Sequence, residues 1–264
     1  MPEVTVKINK IVKDPDSSPD DLEEVINHDP ALASRVMKIA NSSLYSLPSP
    51  VKTVKRAVVM LGFKSVNRVA MAASLGHMFK GKLCTKHSAK DLWTHSIAVA
   101  AVARDLATKV APEIAEEVFL AGLTHDLGLV ALLQVMPKEL AAVCDKAEKD
   151  PRPFVEIERE MIGMDHEQIG ASLTTAWGFP PACRMAAGAH HHPATEADET
   201  GLVTDLVHVA DTLCCGERVG FSYTAHRQTV PPALAAKFGL NEESWGSTKE
   251  RVTALAYAAT TIFA

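Results

Sequence analysis

Apolar residues recur at helical spacing along nearly the whole chain, and no segment shows the period-two alternation of a surface strand. Ser18-Pro19 and Asp29-Pro30 each indicate a helix start, because a capping side chain followed by proline is typical of that position. Gly62 should end a third helix, and Ser65 should cap a fourth that runs to about Phe79. Further helices are predicted at 90–110, 113–134, 137–149, 153–162, 165–177, 181–190, 201–216, 232–238 and 247–262. The pattern predicts an all-α protein.

The polar, basic segment 81–90, GKLCTKHSAK, interrupts the helical pattern. We interpret it as a joint between two helical lobes of a single domain, 1–264. The expected parts are an N-terminal helical lobe over 1–82, a helical core over 88–216, and a C-terminal loop with two helices over 217–264.

The most apolar stretch is Val118–Leu133, VFLAGLTHDLGLVALL, in which only Thr124, His125 and Asp126 are polar. A helix that is apolar all round lies in a core, so it should bury a histidine and an aspartate. Adjacent positions of a continuous helix point about 100° apart, so the two side chains should face different partners. A cation between them would serve both, and a simple His–Asp hydrogen bond is the alternative.

Other ionisable side chains occur on helix faces or helix ends that should pack inward. They are His95, His166, His190, His191 and Asp211. Each has an ordinary explanation by itself, as a buried structural histidine, an exposed residue at a helix start, or a buried acid with a hydrogen bond. His192 should be turned outward, because Pro193 follows it.

Together these residues form a set of imidazoles and carboxylates without thiolates, which suits Fe, Mn, Ni, Co or Zn and does not distinguish among them. One or two divalent ions could share the set. The predicted metal ligands are His95, His125, Asp126, His166, His190, His191 and Asp211. His125 and Asp126 are also the catalytic candidates.

Composition narrows the function classes. Lys plus Arg number 27 and Asp plus Glu number 32, so the net charge of −5 argues against general nucleic-acid binding. The five cysteines are scattered without a C-x-x-C pair, which excludes a disulfide framework and favours the cytoplasm. No signal-peptide core and no run of about 18 apolar residues is present, so we expect no membrane partner.

His95, His125-Asp126 and Asp211 resemble the H…HD…D pattern of the HD superfamily of metal-dependent phosphohydrolases. Additional motifs resemble the HDOD family, the HD-related output domain, over about residues 5–215. They are Asp29-Pro30-Ala31-Leu32, Asn41-Ser42-Ser43-Leu44-Tyr45, Ala57-Val58-Val59-Met60-Leu61-Gly62, His166-Glu167-Gln168-Ile169-Gly170-Ala171, Trp177-Gly178-Phe179-Pro180 and His190-His191. The resemblance implies a two-lobed, all-helical HDOD fold with an HD-like metal-binding core, in a bacterial signalling protein.

The resemblance also bears on activity. Many HDOD members have lost the metal residues, whereas here His166 and His190/His191 match the additional ligands of the HD-GYP phosphodiesterases. Leu129 stands where those enzymes usually have lysine, and no Gly-Tyr-Pro follows His191, which argues against hydrolysis of cyclic-di-GMP.

Three hypotheses therefore stay open. The first is a metal-dependent phosphohydrolase acting on a phosphoester or nucleotide. The second is a non-catalytic signal-output module that binds a partner protein or a small phosphorylated ligand. The third is a structural His/Asp network without a cation.

Overall fold

The computed structural model describes residues 3–42, 45, 47–192, 199–241 and 245–263. Within these ranges the regular structure is helical, and the single β-bridge joins Lys82 to Ser88. The helices are α1 (Glu3–Lys13), α2 (Pro19–Asn27), α3 (Pro30–Ala40), α4 (Val54–Leu61), α5 (Phe63–Leu75), α6 (Ala89–Val110), α7 (Ala115–Thr124), α8 (Leu127–Val135), α9 (Pro137–Ala147), α10 (Phe154–Ile162), α11 (His166–Ala176), α12 (Pro181–Ala189), α13 (Glu199–Gly216), α14 (Pro232–Lys237) and α15 (Trp245–Phe263). The all-α prediction is confirmed.

The chain divides into two compact units, residues 1–78 with 258–264 and residues 79–257. In the first unit α5 packs against α1 and α3. In the second, α6 packs against α7 and α13, and α11 packs against α8 and α12.

Local sequence signals explain how the helices of the first unit begin. Ser18 and Asp21 form a reciprocal capping box at α2, and Asp29 accepts hydrogen bonds from the first backbone amides of α3. The expected cap at Ser65 is wrong. Gly62, at φ +85°, both ends α4 and precedes α5, because it can adopt a conformation that strains other residues. α5 ends at Leu75, short of the expected Phe79, and α1 was not predicted.

The continuous helix expected over 113–134 is also wrong. α7 ends at Thr124 and α8 begins at Leu127, so His125 and Asp126 occupy a tight turn between two helices. Asp126 has φ −96° and ψ +17°, which interrupts the helical hydrogen-bond pattern. The break moves these two side chains off the helix stripes on which a regular helix would place them.

The surrounding segment Pro112–Val135 is long and apolar enough, by composition alone, to span a membrane. However, 83% of its most apolar window is buried inside the protein. Packing in the core of the second unit accounts for this hydropathy.

A close helix contact holds α6, which carries His95, against α7, which leads to His125. A Cβ added to Gly122 would lie 2.8 Å from the Cα of Ala100. Only hydrogen fits at this position, so the glycine sets how closely the two backbones approach.

We predict that Gly122→Ala lowers the free energy of unfolding by about 1–3 kcal/mol, because overpacking forces the backbones apart. Urea denaturation followed by circular dichroism measures this change. Gly216→Ala is the matched control, since a Cβ there would meet no atom within 4 Å. An equal loss of stability in both variants would contradict the role assigned to the α6–α7 contact.

Candidate metal centre

Five separate parts of the second unit deliver the seven predicted ligands to one interior position. His95 comes from α6, the turn after α7 supplies His125 and Asp126, and His166 is the first residue of α11. His190 and His191 follow α12, and Asp211 lies in α13. All seven side chains are buried, and only that of His191 has any exposure, at 4%.

Asp126 lies between two groups of histidines. Its Oδ2 is 3.3 Å from His125 Nε2 and 3.9 Å from His95 Nε2. Its Oδ1 is 3.5 Å from His166 Nε2 and 3.6 Å from His190 Nε2. One carboxylate thus faces both halves of the cluster, as a bridging ligand would.

Asp211 closes the first half of the cluster. Its Oδ1 is 3.0 Å from His95 Nε2 and 4.0 Å from His125 Nε2, and its Oδ2 is 3.8 Å from His191 Nδ1. In the other half, His166 Nε2 lies 3.4 Å from His190 Nε2 and 3.1 Å from His191 Nε2. Two imidazole nitrogens this close need either a proton or a metal cation between them.

Each of the five imidazoles directs Nδ1 outward to an oxygen acceptor. The acceptors are Val219 O for His95 (3.3 Å), Gly122 O for His125 (2.6 Å), Glu158 Oε2 for His166 (2.5 Å), Ala186 O for His190 (2.9 Å) and Gln228 Oε1 for His191 (3.0 Å). A carbonyl or carboxylate oxygen can only accept, so Nδ1 carries the proton. In the neutral tautomer Nε2 then has its lone pair directed into the cluster, as in a metal-binding histidine.

Several buried atoms at the centre have no hydrogen bond among the described residues. They are His125 Nε2, Asp126 Oδ1, Asp126 Oδ2 and Asp211 Oδ2. An unsatisfied buried polar group costs about 1–3 kcal/mol, and more when it is charged. The donor set, its orientation and these unsatisfied atoms fit one or two divalent metal ions.

The electrostatics of the protein itself favour charged carboxylates. Burial alone would raise the pKa of Asp126, but His125, His166 and His190 outweigh it and hold this pKa well below its ordinary value. Burial alone would also raise the pKa of Asp211, but the His95 imidazole, whose Nε2 lies 3.0 Å from Oδ1, outweighs burial and lowers this pKa to about 2. Both acids are therefore ionised at neutral pH and could act as ligands.

The histidines divide into two electrostatic classes. Burial lowers the pKa values of His190 and His191, so both are neutral ligands. Burial also opposes the charge on His166, but Glu158 and Asp126 prevail and raise its pKa to about 10. A metal at His166 must displace a proton, so its binding there should strengthen as the pH rises.

Sequence reasoning missed the residues that orient the ligands. Glu158 is fully buried on α10 and accepts hydrogen bonds from both the backbone amide and Nδ1 of His166. Gln228 lies 37 positions after His191, in a loop. The sequence did contain a signal for Glu158, because an acid next to the buried Ile157 on a packed helix face needs a partner. Gln228 lies in a loop, where no such pattern indicates its role.

Two glycines allow the centre to close. A Cβ at Gly128 would lie 2.0 Å from the carbonyl oxygen of His166, so the glycine lets α11 approach α8. A Cβ at Gly220 would lie 2.7 Å from the backbone nitrogen of His95. This second approach places the neighbouring Val219 carbonyl at His95 Nδ1.

One cavity of about 210 Å³ reaches the cluster, and His191 and Gln228 are among its lining residues. The lining also includes Arg152, His192 and Arg227 and, among the described residues, no aspartate or glutamate. His192, whose side chain is 61% exposed, lies outside the cluster and contacts Glu167. The route to the centre is therefore narrow and lined by basic groups.

We predict that Glu158→Gln lowers the pKa of His166 from about 10 towards its ordinary value of 6.5 in metal-free protein. A histidine with a raised folded pKa stabilises the fold fully below its unfolded pKa and loses that contribution as the pH rises through the folded value. The wild type should lose this stabilisation between pH 6.5 and about 10. NMR titration of the imidazole resonances measures the pKa directly.

Glu160→Gln is the matched control for this titration. Glu160 lies on the same helix but is 47% exposed and pairs with Lys146 and Arg152. An unchanged His166 pKa in Glu158→Gln would show that the Glu158 carboxylate does not set it.

Solved structures of three other proteins have the same fold. An HDOD domain protein of Geobacter sulfurreducens superposes with a TM-score of 0.76 at 24% identity, over 100% of this chain and 90% of that one. A candidate signal transduction protein of Marinobacter aquaeolei VT8 superposes with a TM-score of 0.74 at 28% identity, over 99% of this chain and 57% of that one. A candidate metal-dependent phosphohydrolase of Shewanella amazonensis SB2B superposes with a TM-score of 0.69 at 23% identity, over 100% of this chain and 91% of that one.

Sequence comparison extends this result. A protein of Treponema pallidum (strain Nichols) is 23% identical over 194 residues, which are 73% of this chain but only 37% of that protein. The family profile described as the HDOD domain matches residues 1–193, which include every member of the cluster except Asp211. The chain belongs to the HDOD family.

Proposed function

We propose that this HDOD protein is a metal-dependent phosphohydrolase that acts on a phosphoester or nucleotide in a cytoplasmic signalling process. The supporting observation is the orientation of five buried imidazoles, each with Nδ1 on an oxygen acceptor. The Nε2 atoms of His95, His125, His166 and His190 lie 3.0–3.6 Å from a carboxylate oxygen of Asp126 or Asp211, and that of His191 lies 3.1 Å from His166 Nε2. Buried polar atoms are usually hydrogen-bonded, whereas His125 Nε2 and both oxygens of Asp126 have no hydrogen bond among the described residues, which supports a cation between them.

The distances support an arrangement of the candidate ligands in two sets that share Asp126. His95, His125 and Asp211 would hold one divalent ion with Asp126 Oδ2. The second ion would bind His166, His190 and His191 with Asp126 Oδ1; these three nitrogens lie within 4.8 Å of one another. Such a nitrogen and oxygen set accommodates Fe, Mn, Ni, Co or Zn.

Divalent ions in a site of this type supply Lewis acidity, which activates water as a nucleophile and withdraws electron density from a phosphoryl oxygen. The protein's own residues supply the rest. The oxygen acceptors keep the Nε2 lone pairs aimed inward, and His125 and Asp126 act as the catalytic pair within the cluster. Burial excludes bulk water, which strengthens every interaction with developing charge.

The cavity at His191 restricts what can react. A volume of about 210 Å³ is below the usual range of about 300–1,000 Å³ for small-molecule sites. It therefore accommodates a phosphoryl group or one end of a nucleotide, with the remainder outside. Arg227 at its wall provides positive charge for such a group, whereas the charge of Arg152 is paired with Asp150 and Glu160.

A second candidate is a non-catalytic output module that binds a partner protein or ligand. The complete burial of six of the seven cluster side chains favours it, since a metal held this deeply also stabilises a fold. The Marinobacter relative, a candidate signal transduction protein, is consistent with that role. Turnover distinguishes the two.

We predict that protein purified without chelator contains one or two transition-metal ions per chain, measured by inductively coupled plasma mass spectrometry. His125→Ala combined with Asp126→Ala should remove them, because Asp126 faces both halves of the site. The matched control combines His28→Ala with Asp16→Ala, which are exposed positions of the first unit. Full metal content in the His125/Asp126 variant would locate the site elsewhere.

We further predict that the metal-loaded protein hydrolyses at least one member of a panel of p-nitrophenyl phosphates, nucleotides and cyclic dinucleotides. Asp126→Asn should lower kcat/KM by at least about 100-fold, whereas the exposed Asp145→Asn should retain activity. Metal-loaded wild type that is inactive on the entire panel would reject the phosphohydrolase and favour the output module.

A further inference from the structure

A second and larger cavity lies beside the candidate metal centre. Its volume is about 620 Å³, within the usual range of about 300–1,000 Å³ for small-molecule sites. The lining includes Lys86 and His87 after the bridge at Lys82, Glu148 after α9, and the loop that follows α13. None of the seven cluster residues lines this cavity.

The charge of the lining is strongly positive. Lys86, Arg218 and Arg227 are its formal cations, and Glu148 is its single acid among the described lining residues. Lys86 forms an ion pair with Glu148, which cancels one charge of each sign. Two arginines therefore remain uncompensated at the cavity wall.

Neither guanidinium is used by the fold. Within the described part of the chain, the side chains of Arg218 and Arg227 have no hydrogen bond and no ion pair. Elsewhere in the same unit exposed arginines are paired, as Arg152 is with Asp150 and Arg251 with Asp105. Two unpaired arginines on one cavity leave ten N–H donors for a ligand.

Arg218 is held in an unfavourable backbone conformation. Its φ is +56°, and it is the only non-glycine residue with positive φ among the described residues. Glycine adopts this conformation without strain, and Gly216 and Gly220 flank the position closely. Glycine would adopt this backbone conformation without strain, but only arginine places a guanidinium at the cavity.

The same loop forms the outer side of the candidate metal centre. Val219, next to Arg218, accepts the hydrogen bond from His95 Nδ1. Gly220 lines the cavity and packs directly on the backbone of His95. A ligand that contacts Arg218 would therefore lie one residue from the group that orients His95.

We propose that this cavity binds a small phosphate-bearing anion through Arg218 and Arg227, at a site that contains none of the seven cluster residues and shares Arg227 with the narrow cavity. Arginine matches phosphate oxygens with two parallel hydrogen bonds, and Lys86, His87 and the Ser222 hydroxyl add donors around the same space. The volume accommodates a diphosphate or a nucleotide. Binding needs no metal, so it does not depend on the proposed phosphohydrolase activity.

Isothermal titration of pyrophosphate into metal-free protein, dialysed after chelator treatment and held at constant ionic strength, tests the proposal. We expect saturable binding of one pyrophosphate per chain, and the same binding in the His125→Ala/Asp126→Ala background. Arg218→Gly and Arg227→Ala should each weaken it by about tenfold or more, and the double variant should abolish it. The exposed Arg56→Ala, in the first unit, is the matched control and should bind as wild type does.

Thermal unfolding separates loss of binding from loss of folding. Because glycine suits a φ of +56°, Arg218→Gly should melt at the wild-type temperature or above it while binding pyrophosphate poorly. Absence of saturable binding up to about 10 mM, or wild-type binding by the Arg218/Arg227 double variant, would overturn the proposal. Equal affinity for citrate would overturn the assignment to phosphate.

Discussion

The structure depends on the burial of seven ionisable side chains at one point inside a helical unit. Taking charged groups out of water costs several kcal/mol per ion unless opposite charges and hydrogen bonds offset it. Here Asp126 and Asp211 stay ionised because histidines surround them. The histidines in turn are fixed by outer acceptors, so that every ring has its Nδ1 satisfied and its Nε2 within the cluster. A divalent cation completes this balance of charge better than protons do, because a proton can be shared by only two atoms.

Backbone geometry makes the convergence sterically feasible. The break between α7 and α8 places His125 and Asp126 in a turn, where consecutive side chains can both face the cluster. Gly128 and Gly220 then allow α11 and the loop after α13 to approach within distances that a Cβ would prevent. A Cβ at either position would hold the ligand-bearing segments apart.

Burial of the centre also determines how it communicates with solvent. The narrow cavity opens onto His191, whereas the wider basic cavity reaches the outer side of His95 through the loop 216–222. Tyr223, His226 and Arg227 line both cavities. An anion bound in the wider cavity and a phosphoryl group in the narrow one would therefore share one wall, which offers a physical route from ligand binding to the centre.

The all-helical fold and the positions of the candidate ligands in the chain were predicted from the sequence alone. Histidine and aspartate inside apolar helical patterns, such as His95 and Asp211, stand out because their burial requires compensation. The outer acceptors did not stand out: Gln228 reaches His191 only through loop geometry, and Val219 acts through a carbonyl that every residue possesses. The helix break was equally hidden, since apolar residues at helical spacing occur on both sides of Thr124-His125-Asp126 and the three polar residues alone do not show that the helix stops there. Local patterns record which side chains must be buried, whereas their mutual orientation depends on contacts between distant segments, and only the tertiary structure decides it.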